Sequence, residues 1–266
     1  MNIHPTAIID PEAELDSSVK VGPYVIIEKG VKIAGGTTIK PHTVITGPTT
    51  IGSGNVIGPF ATIGAPPQDL KYKGEDTELV IGDNNQIREY VSIHRGTVTD
   101  KGITLIGNGN LLMGYVHIAH DCVIGDSAIL ANAATMAGHV HIEDHAIIGG
   151  LVAIHQFSRV GQYSYIGGVS GISKDVPPFI IVSGIRKEMR VSGINKIGLR
   201  RRGFDTATIK KLDTAYKIIF MSPDLLLKDA LEQAEKGVDD CEPVRQLIDF
   251  FRKSKQGVIR TVETRA

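Results

Sequence analysis

Cysteine occurs only twice in these 266 residues, at Cys122 and Cys241. Two thiols cannot build a disulfide framework, and both read as structural. Charge of one sign is equally lacking: 29 basic side chains face 29 acidic ones. A bulk electrostatic attraction for nucleic acid is thereby excluded. Long apolar runs are missing too. No stretch approaches the ~18 apolar residues of a membrane span, and Met1-Asn2-Ile3-His4-Pro5 shows neither the basic nor the apolar region of a secretory leader. The expectation is a cytoplasmic protein of ordinary globular composition, in two domains.

What the sequence does contain is one apolar position repeated every sixth residue. The series runs from Ile3 through Ile9, Leu15, Val21, Ile27, Ile33, Ile39, Ile45, Ile51, Ile57 and Ile63, and returns at Ile81, Ile87 and Ile93. It resumes at Ile106 and continues by sixes to Ile172. A helix repeats every ~3.6 residues and a half-buried strand every ~2, so a period of six marks a stack of very short strands with a turn at each corner. Four residues after the anchor sits a small or β-branched side chain, as at Val25, Thr43, Ala61, Cys122 and Ala146. Directly after it glycine recurs, as at Gly22, Gly58, Gly107 and Gly167, expected to supply backbone angles closed to other residues. Three hexads per coil give a triangular prism, with coils ~4.8 Å apart. The fold class is an all-β solenoid followed by a small α-helical domain, with residues 1–184 as the first unit and 185–266 as the second.

The repeat is expected to end at Lys174-Asp175-Val176-Pro177-Pro178-Phe179, where two prolines remove the donors that another coil needs. Helical periodicity follows. Ile209, Leu212, Tyr216, Ile219 and Phe220 share one face, as do Leu227, Ala230, Leu231 and Ala234, and then Val244, Leu247, Ile248 and Phe251. Ser222-Pro223 reads as a helix start, and Gly237 and Gly257 as helix stops.

Two segments interrupt the hexads, at residues 64–80 and 94–105. Loops projecting from rigid scaffolds commonly carry function, and the first packs Gln68, Asp69 and Lys71 together. Six of the nine histidines lie between His117 and His155. With an 18-residue coil, His120, His139 and His155 fall within one residue of a common edge, near His117, Asp121 and Gln156. Imidazole titrates near ~6.5 and suits proton transfer at neutral pH, with a carboxylate such as Asp121 to orient it. Two chemistries can use such an edge: a general base acting on an acceptor hydroxyl, or neutral imidazoles holding a catalytic zinc, as in hexapeptide-repeat carbonic anhydrases. No spacing matches a known metal motif, and the expectation is no metal.

The motifs Gln68-Asp69-Leu70-Lys71-Tyr72, Ile93-His94-Arg95-Gly96-Thr97, His117-Ile118-Ala119-His120-Asp121, Ala137-Gly138-His139, His155-Gln156-Phe157, Asp175-Val176-Pro177-Pro178 and Arg201-Arg202-Gly203-Phe204, in this order, resemble the UDP-N-acetylglucosamine acyltransferases of lipid A biosynthesis. The resemblance spans nearly the full chain. It implies a left-handed parallel β-helix, an exception to the right-handed crossover rule, and a homotrimer with its active sites between prisms. It further implies transfer of an (R)-3-hydroxyacyl group from the phosphopantetheine arm of acyl carrier protein to the 3-hydroxyl of UDP-N-acetylglucosamine, without a cofactor. By the same resemblance His120 is the general base, Asp121 its orienting carboxylate and the Gly138 N–H the oxyanion donor. Gln68, Asp69, Lys71, His117, His139, His155, Gln156, Asn195, Arg201 and Arg202 would bind substrate, and Gly168 would leave room for a long acyl chain. Some members of the family acylate a 3-amino sugar instead, forming an amide. Ile197 is a departure, since a member of the family has Glu at the matching position, so nucleotide recognition is expected to differ in detail. The basic run Arg186, Lys187, Arg190, Lys196, Arg200, Arg201 and Arg202 suits either a pyrophosphate or the acidic carrier protein.

Overall fold

The computed structural model describes residues 2–185, 188–222, 224–238 and 240–262. Arg186 and Lys187 of the basic run, and Pro223 of the expected helix start, lie outside them. Among the described residues the hexads form three sheets of 11, 9 and 8 strands, which the chain visits in rotation. Each strand lies parallel on the one a coil earlier, as in Asn2↔Lys20 and Thr38↔Val56. The result is a left-handed parallel β-helix. The anchors fill its interior: from Val21 to Ile172 they are at most 4% exposed, each fully buried side chain contributing about 1.5–3 kcal/mol. The residues four places on, among them Val25, Thr43, Ala61 and Cys122, complete the core at 0–1%.

Gly64, directly after Ile63, carries the expected positive φ, but most of these glycines act differently from the expectation. Gly22, Gly58, Gly107 and Gly167 do not carry positive φ. Gly58 and Gly107 are needed because coils approach too closely for a side chain: a Cβ on Gly58 would lie 2.5 Å from the Arg88 carbonyl carbon, and one on Gly107 would lie 2.6 Å from Gly125 O, whereas one on Gly22 or Gly167 would meet its nearest neighbour at 3.1 Å. The left-handed backbone falls three residues after the anchor and is borne mostly by other residue types, including Tyr24, His42, Phe60, Tyr90, Tyr115, Asp121, His139 and Phe157. Such a conformation costs about 1–2 kcal/mol per residue. Stacking on the coil above helps offset it: the rings of Tyr24, His42, Phe60, Tyr90 and Tyr115 follow one another at 4.8–5.1 Å. Among the described residues, the N–H two places after the anchor has no backbone acceptor at the regular corners that enter and leave the nine-stranded sheet, Arg95 beside the second interruption being an exception, which is why Pro5, Pro11, Pro23, Pro41 and Pro59 fit there.

Both interruptions leave the nine-stranded sheet and return on the eight-stranded one, residues 66–77 from the strand Thr62–Ala65 and residues 95–102 from the strand Ser92–His94. They lengthen two successive coils, so that Val56 pairs with Gln86 and Gln86 with Leu111. The same corner, one coil further on, carries His120 and Asp121. Strand pairing does not stop at Pro177 and Pro178. These prolines occupy a corner where no donor is required, and the eleven-stranded sheet gains two more strands, Ile180–Ser183 and Arg190–Ile194, the last antiparallel and beyond the expected unit boundary.

Among the described residues four helices follow: α1 Lys196–Arg201, α2 Thr206–Phe220, α3 Leu227–Gly237 and α4 Glu242–Lys253. The expected faces of α2 and α4 are buried, as are Ala230, Leu231 and Ala234 of α3. Ser222 does not start a helix, since α3 begins at Leu227 without a side-chain cap. Gly237 is the last residue of α3, whereas Gly257 comes after α4 has already ended. Helix α1 had no periodic signal and is held by Asn195, whose side chain accepts from Gly198 N. No described helix is long and apolar enough to cross a membrane.

Candidate active site

A cavity of about 910 Å³ opens along the corner shared by the two interruptions and is lined by Gln68, Asp69, Lys71, His120, His139 and Gln156, with Leu70, Thr99, Asp100 and Phe157. The prism places them. His120, Gly138 and Gln156 occupy equivalent turn positions in three successive coils, and Asp121, His139 and Phe157 the left-handed positions next to them. His139 N donates to His120 O at 3.0 Å and Phe157 N to Gly138 O at 3.2 Å, so one ladder of backbone bonds sets the spacing of the site.

Asp121 is the buried centre, its side chain only 1% exposed. Its Oδ1 accepts from Thr97 N at 2.9 Å, and its Oδ2 from Thr97 Oγ1 at 2.6 Å and from His120 Nδ1 at 2.8 Å. Thr104 Oγ1 accepts from the Asp121 backbone N–H at 2.8 Å. A carboxylate so held fixes the His120 tautomer with the proton on Nδ1, leaving Nε2 as the ring's acceptor. Gly138 adjoins that ring: a Cβ there would lie 2.8 Å from His120 Nε2. Its N–H, in the turn position that prolines fill elsewhere, has no acceptor among the described residues. The His139 ring stands at 90° to that of His120, 5.1 Å away, with its Nδ1 3.1 Å from Asp100 Oδ2.

Not every expected residue joins this cavity. His155 is one place out of register: His139 stacks on Phe157, at 4.5 Å, while His155 is exposed and bonds to Gln156 O. His117 lies beneath the site, with its Nδ1 2.8 Å from Ser92 Oγ and its ring 5.2 Å from that of His94. Asn195 is 8% exposed and occupied within the fold, capping α1 and donating to Tyr163 O at 2.9 Å. Arg201 and Arg202 are exposed at the end of α1, and Gly168 lies at the corner between the eleven- and nine-stranded sheets, so none of them reaches His120 within one chain. Thr97 and Asp100 enter the site unannounced by the hexad, because the second interruption brings them there, and Thr104 joins from the strand Ile103–Ile106 that follows it. Cys122 is fully buried, with its thiol pushed up to about 12, chiefly by desolvation, as suits a structural residue.

His120, Asp121 and His139 each place one potential metal-ligand atom within 4.8 Å of the others. Both oxygens of Asp121 are already engaged by donors, however, which suits the carboxylate to orienting an imidazole.

A family model described as Udp N-acetylglucosamine O-acyltransferase; Domain 2 matches residues 175–259, and one described as bacterial transferase hexapeptide (six repeats) matches residues 30–65 and 103–138. A relative from Paraburkholderia phymatum, named acyl-(acyl-carrier-protein)-UDP-N-acetylglucosamine O-acyltransferase, is 55% identical over 97% of this chain and 99% of its own. The chain belongs to the UDP-N-acetylglucosamine O-acyltransferase family. A relative of the same name from Janthinobacterium is 50% identical over 97% of this chain and 99% of its own length. Among solved structures, LpxA from Acinetobacter baumannii has a TM-score of 0.93 at 48% identity, covering 98% of this chain and 100% of that one. The UDP-N-acetylglucosamine O-acyltransferase of Moraxella catarrhalis has 0.92 at 49%, with the same coverage.

In this member of the family, burial lowers the pKa of both His94 and His117 from the usual imidazole value, and of His141 and His145 as well. Each therefore binds a proton less readily in the folded chain than in the unfolded one. Their contribution to stability is fully present above about pH 6.5 and is lost as pH falls through the lowered folded values. The thermal midpoint is expected to be lower at about pH 5.5 than at about pH 7.5. A midpoint constant across that window in thermal melts would contradict burial as the cause.

Proposed function

We propose that this protein transfers an (R)-3-hydroxyacyl group from acyl carrier protein to the 3-hydroxyl of UDP-N-acetylglucosamine, with His120 as the general base. The observation that carries the reading is the His120–Asp121 pair, whose free Nε2 belongs to a cavity shared with Asp69, Lys71 and Gln156. Nε2 takes the proton of the sugar hydroxyl as its oxygen attacks the thioester carbonyl carbon. Charge moves to the carbonyl oxygen, where the unpaired N–H of Gly138 is suited to receive it. Collapse of the tetrahedral species expels the phosphopantetheine thiolate, which recovers the proton from the His120 imidazolium. Asp121, accepting at Nδ1, stabilises that imidazolium while it lasts. Atoms and charge balance without a metal or other cofactor.

Lys71, His139 and Gln156 bind the sugar nucleotide in this scheme, with Asp69 and Gln68 beside them. His117 supports the site from beneath, and His155 meets the acceptor at the cavity's outer margin. Asn195, Arg201 and Arg202 lie at α1 and Gly168 at another corner of the prism, so they serve a site only if a neighbouring copy brings them to it. A homotrimer with clefts between prisms is the assembly proposed, acting in the cytoplasm where acyl carrier protein is charged. Arg202 then pairs with the pyrophosphate, for which a guanidinium fork is apt.

Gly168 offers a direct test of the donor. It packs on Gly150 O, and Leu151 and Val169, each 65% exposed, flank it as an apolar strip. Purified protein, offered both 3-hydroxy and 3-amino UDP-sugars with a ladder of hydroxyacyl carrier proteins, is expected to esterify the 3-hydroxyl using a long chain. Gly168→Met should shift the preferred chain several carbons shorter while lowering the best rate by less than about tenfold, since an apolar pocket discriminates by about 1–3 kcal/mol per methylene. Equal chain preference in the two proteins would remove Gly168 from specificity, and amide formation alone would replace the acceptor.

A further inference from the structure

We infer that Arg95 and Tyr72 are positioning residues that latch the Gln68–Lys71 loop over His120. Arg95 is 7% exposed and forms no ion pair among the described residues. A buried cation without a counter-charge is expensive, so its three oxygen partners matter. Nη1 donates to Gly64 O at 3.0 Å and to Gly47 O, and Nη2 donates to Tyr72 Oη at 3.2 Å. Tyr72 Oη in turn donates to Glu75 O at 2.9 Å. The neighbouring groups close the other side: Arg95 N donates to Ala65 O at 3.0 Å and His94 Nδ1 to Pro66 O at 2.7 Å. Two consecutive residues of the next coil therefore hold the loop where it leaves the prism, at Gly64–Pro66, and where it returns, at Tyr72 and Glu75.

Between those holds the loop supports itself with little. Tyr72 N donates to Asp69 O and Lys71 N to Asp69 Oδ1, and Leu70 is fully exposed. Arg95 itself does not line the cavity, so its effect on the reaction runs through Lys71 and Asp69. A planar fork reaches three acceptors in fixed directions, which a lysine ammonium on a flexible stem does not.

The inference rests on the reading of this loop as an acceptor-binding element, and the test separates the two. Tyr72→Phe keeps the ring and removes the hydroxyl. It is expected to raise KM for UDP-N-acetylglucosamine about five- to tenfold, the effect of losing one hydrogen bond of ordinary net strength. kcat and KM for the acyl carrier protein should stay near the parent values, while amide exchange across residues 68–73 speeds up. Arg95→Lys, which retains charge without the fork, should move the same KM in the same direction. Lys71→Ala is measured alongside. If it raises the acceptor KM while Tyr72→Phe and Arg95→Lys leave KM and exchange unchanged, the latch is wrong and the loop's binding role stands. If Lys71→Ala leaves KM unmoved, the binding role fails and takes the inference with it.

Discussion

Replacing His120 by alanine is expected to lower kcat by about 10³–10⁴-fold, the upper part of the range for loss of a positioned general base. The fold should survive. Asp121, the buried group most exposed to the consequences, keeps its bonds from Thr97 N and Thr97 Oγ1, so no carboxylate oxygen is stranded without a donor. The His120 ring is 15% exposed and lines the cavity, so its removal opens an existing space without hollowing the core. Thermal melts should match the parent within a few degrees, and KM for the acceptor should change far less than kcat. Retention of more than about a tenth of the parent rate would sink the assignment, because a general base contributes at least ~10²-fold.

The second large effect is expected at Gly138. An alanine there keeps the backbone N–H, so any loss of rate does not come from removing an oxyanion donor. The added Cβ would fall 2.6 Å from His120 Cε1 and 2.8 Å from Nε2, distances that real contacts do not reach. Gly138 does not lie in the left-handed region, so alanine is not strained in its own backbone. The imidazole has to yield instead. A displacement of about 1 Å in a catalytic group costs on the order of 10²-fold, and kcat for Gly138→Ala should fall by at least that much. A crystal structure of the variant should show the ring turned away from Asp121. Full activity with an unmoved ring would mean that the His120 position has slack the parent geometry does not show.

The sequence made the scaffold readable because burial in a solenoid repeats by position. A single apolar place per hexad reports the interior whatever the corner does, so Ile118, Met136 and Ile154 could be placed in register from spacing alone. Corners are less legible. An 18-residue coil puts His155 within one residue of the edge that carries His120 and His139, yet the stack sets Phe157 on His139, since being one residue away at a tight turn means pointing along a different direction. The sequence suggests left-handed angles at the glycines directly after the anchor, yet these fall two places later on residues such as Tyr24, Asp121 and His139, where stacking and coil-to-coil bonds override the intrinsic preference. Thr97 and Asp100 lie inside a phase-breaking segment, where the hexad ruler has no purchase. Their contacts with Asp121 and His139 depend on how that segment folds back, closing its turn through Gly102 N to Thr97 O.

The lengthened coils bear on how the chain finds its native pairing. In a stack of near-identical hexads, sliding one part of the chain past another by a whole coil returns isoleucine to isoleucine, and hydrophobic burial alone barely penalises the error. The two interruptions remove that degeneracy at the middle of the prism, since Val56 must meet Gln86 and Gln86 must meet Leu111 across coils of unequal length. A line of buried amides checks the result: Asn55 Oδ1 accepts from Asn85 N, Asn85 Oδ1 from Asn110 N, and Asn110 Oδ1 from Ala128 N. A slip by one coil would leave these carboxamides facing the wrong partners, and unmatched polar atoms in a dry interior cost about 1–3 kcal/mol each. The segments that assemble the catalytic cavity thus also keep count during folding, telling one otherwise interchangeable coil from the next.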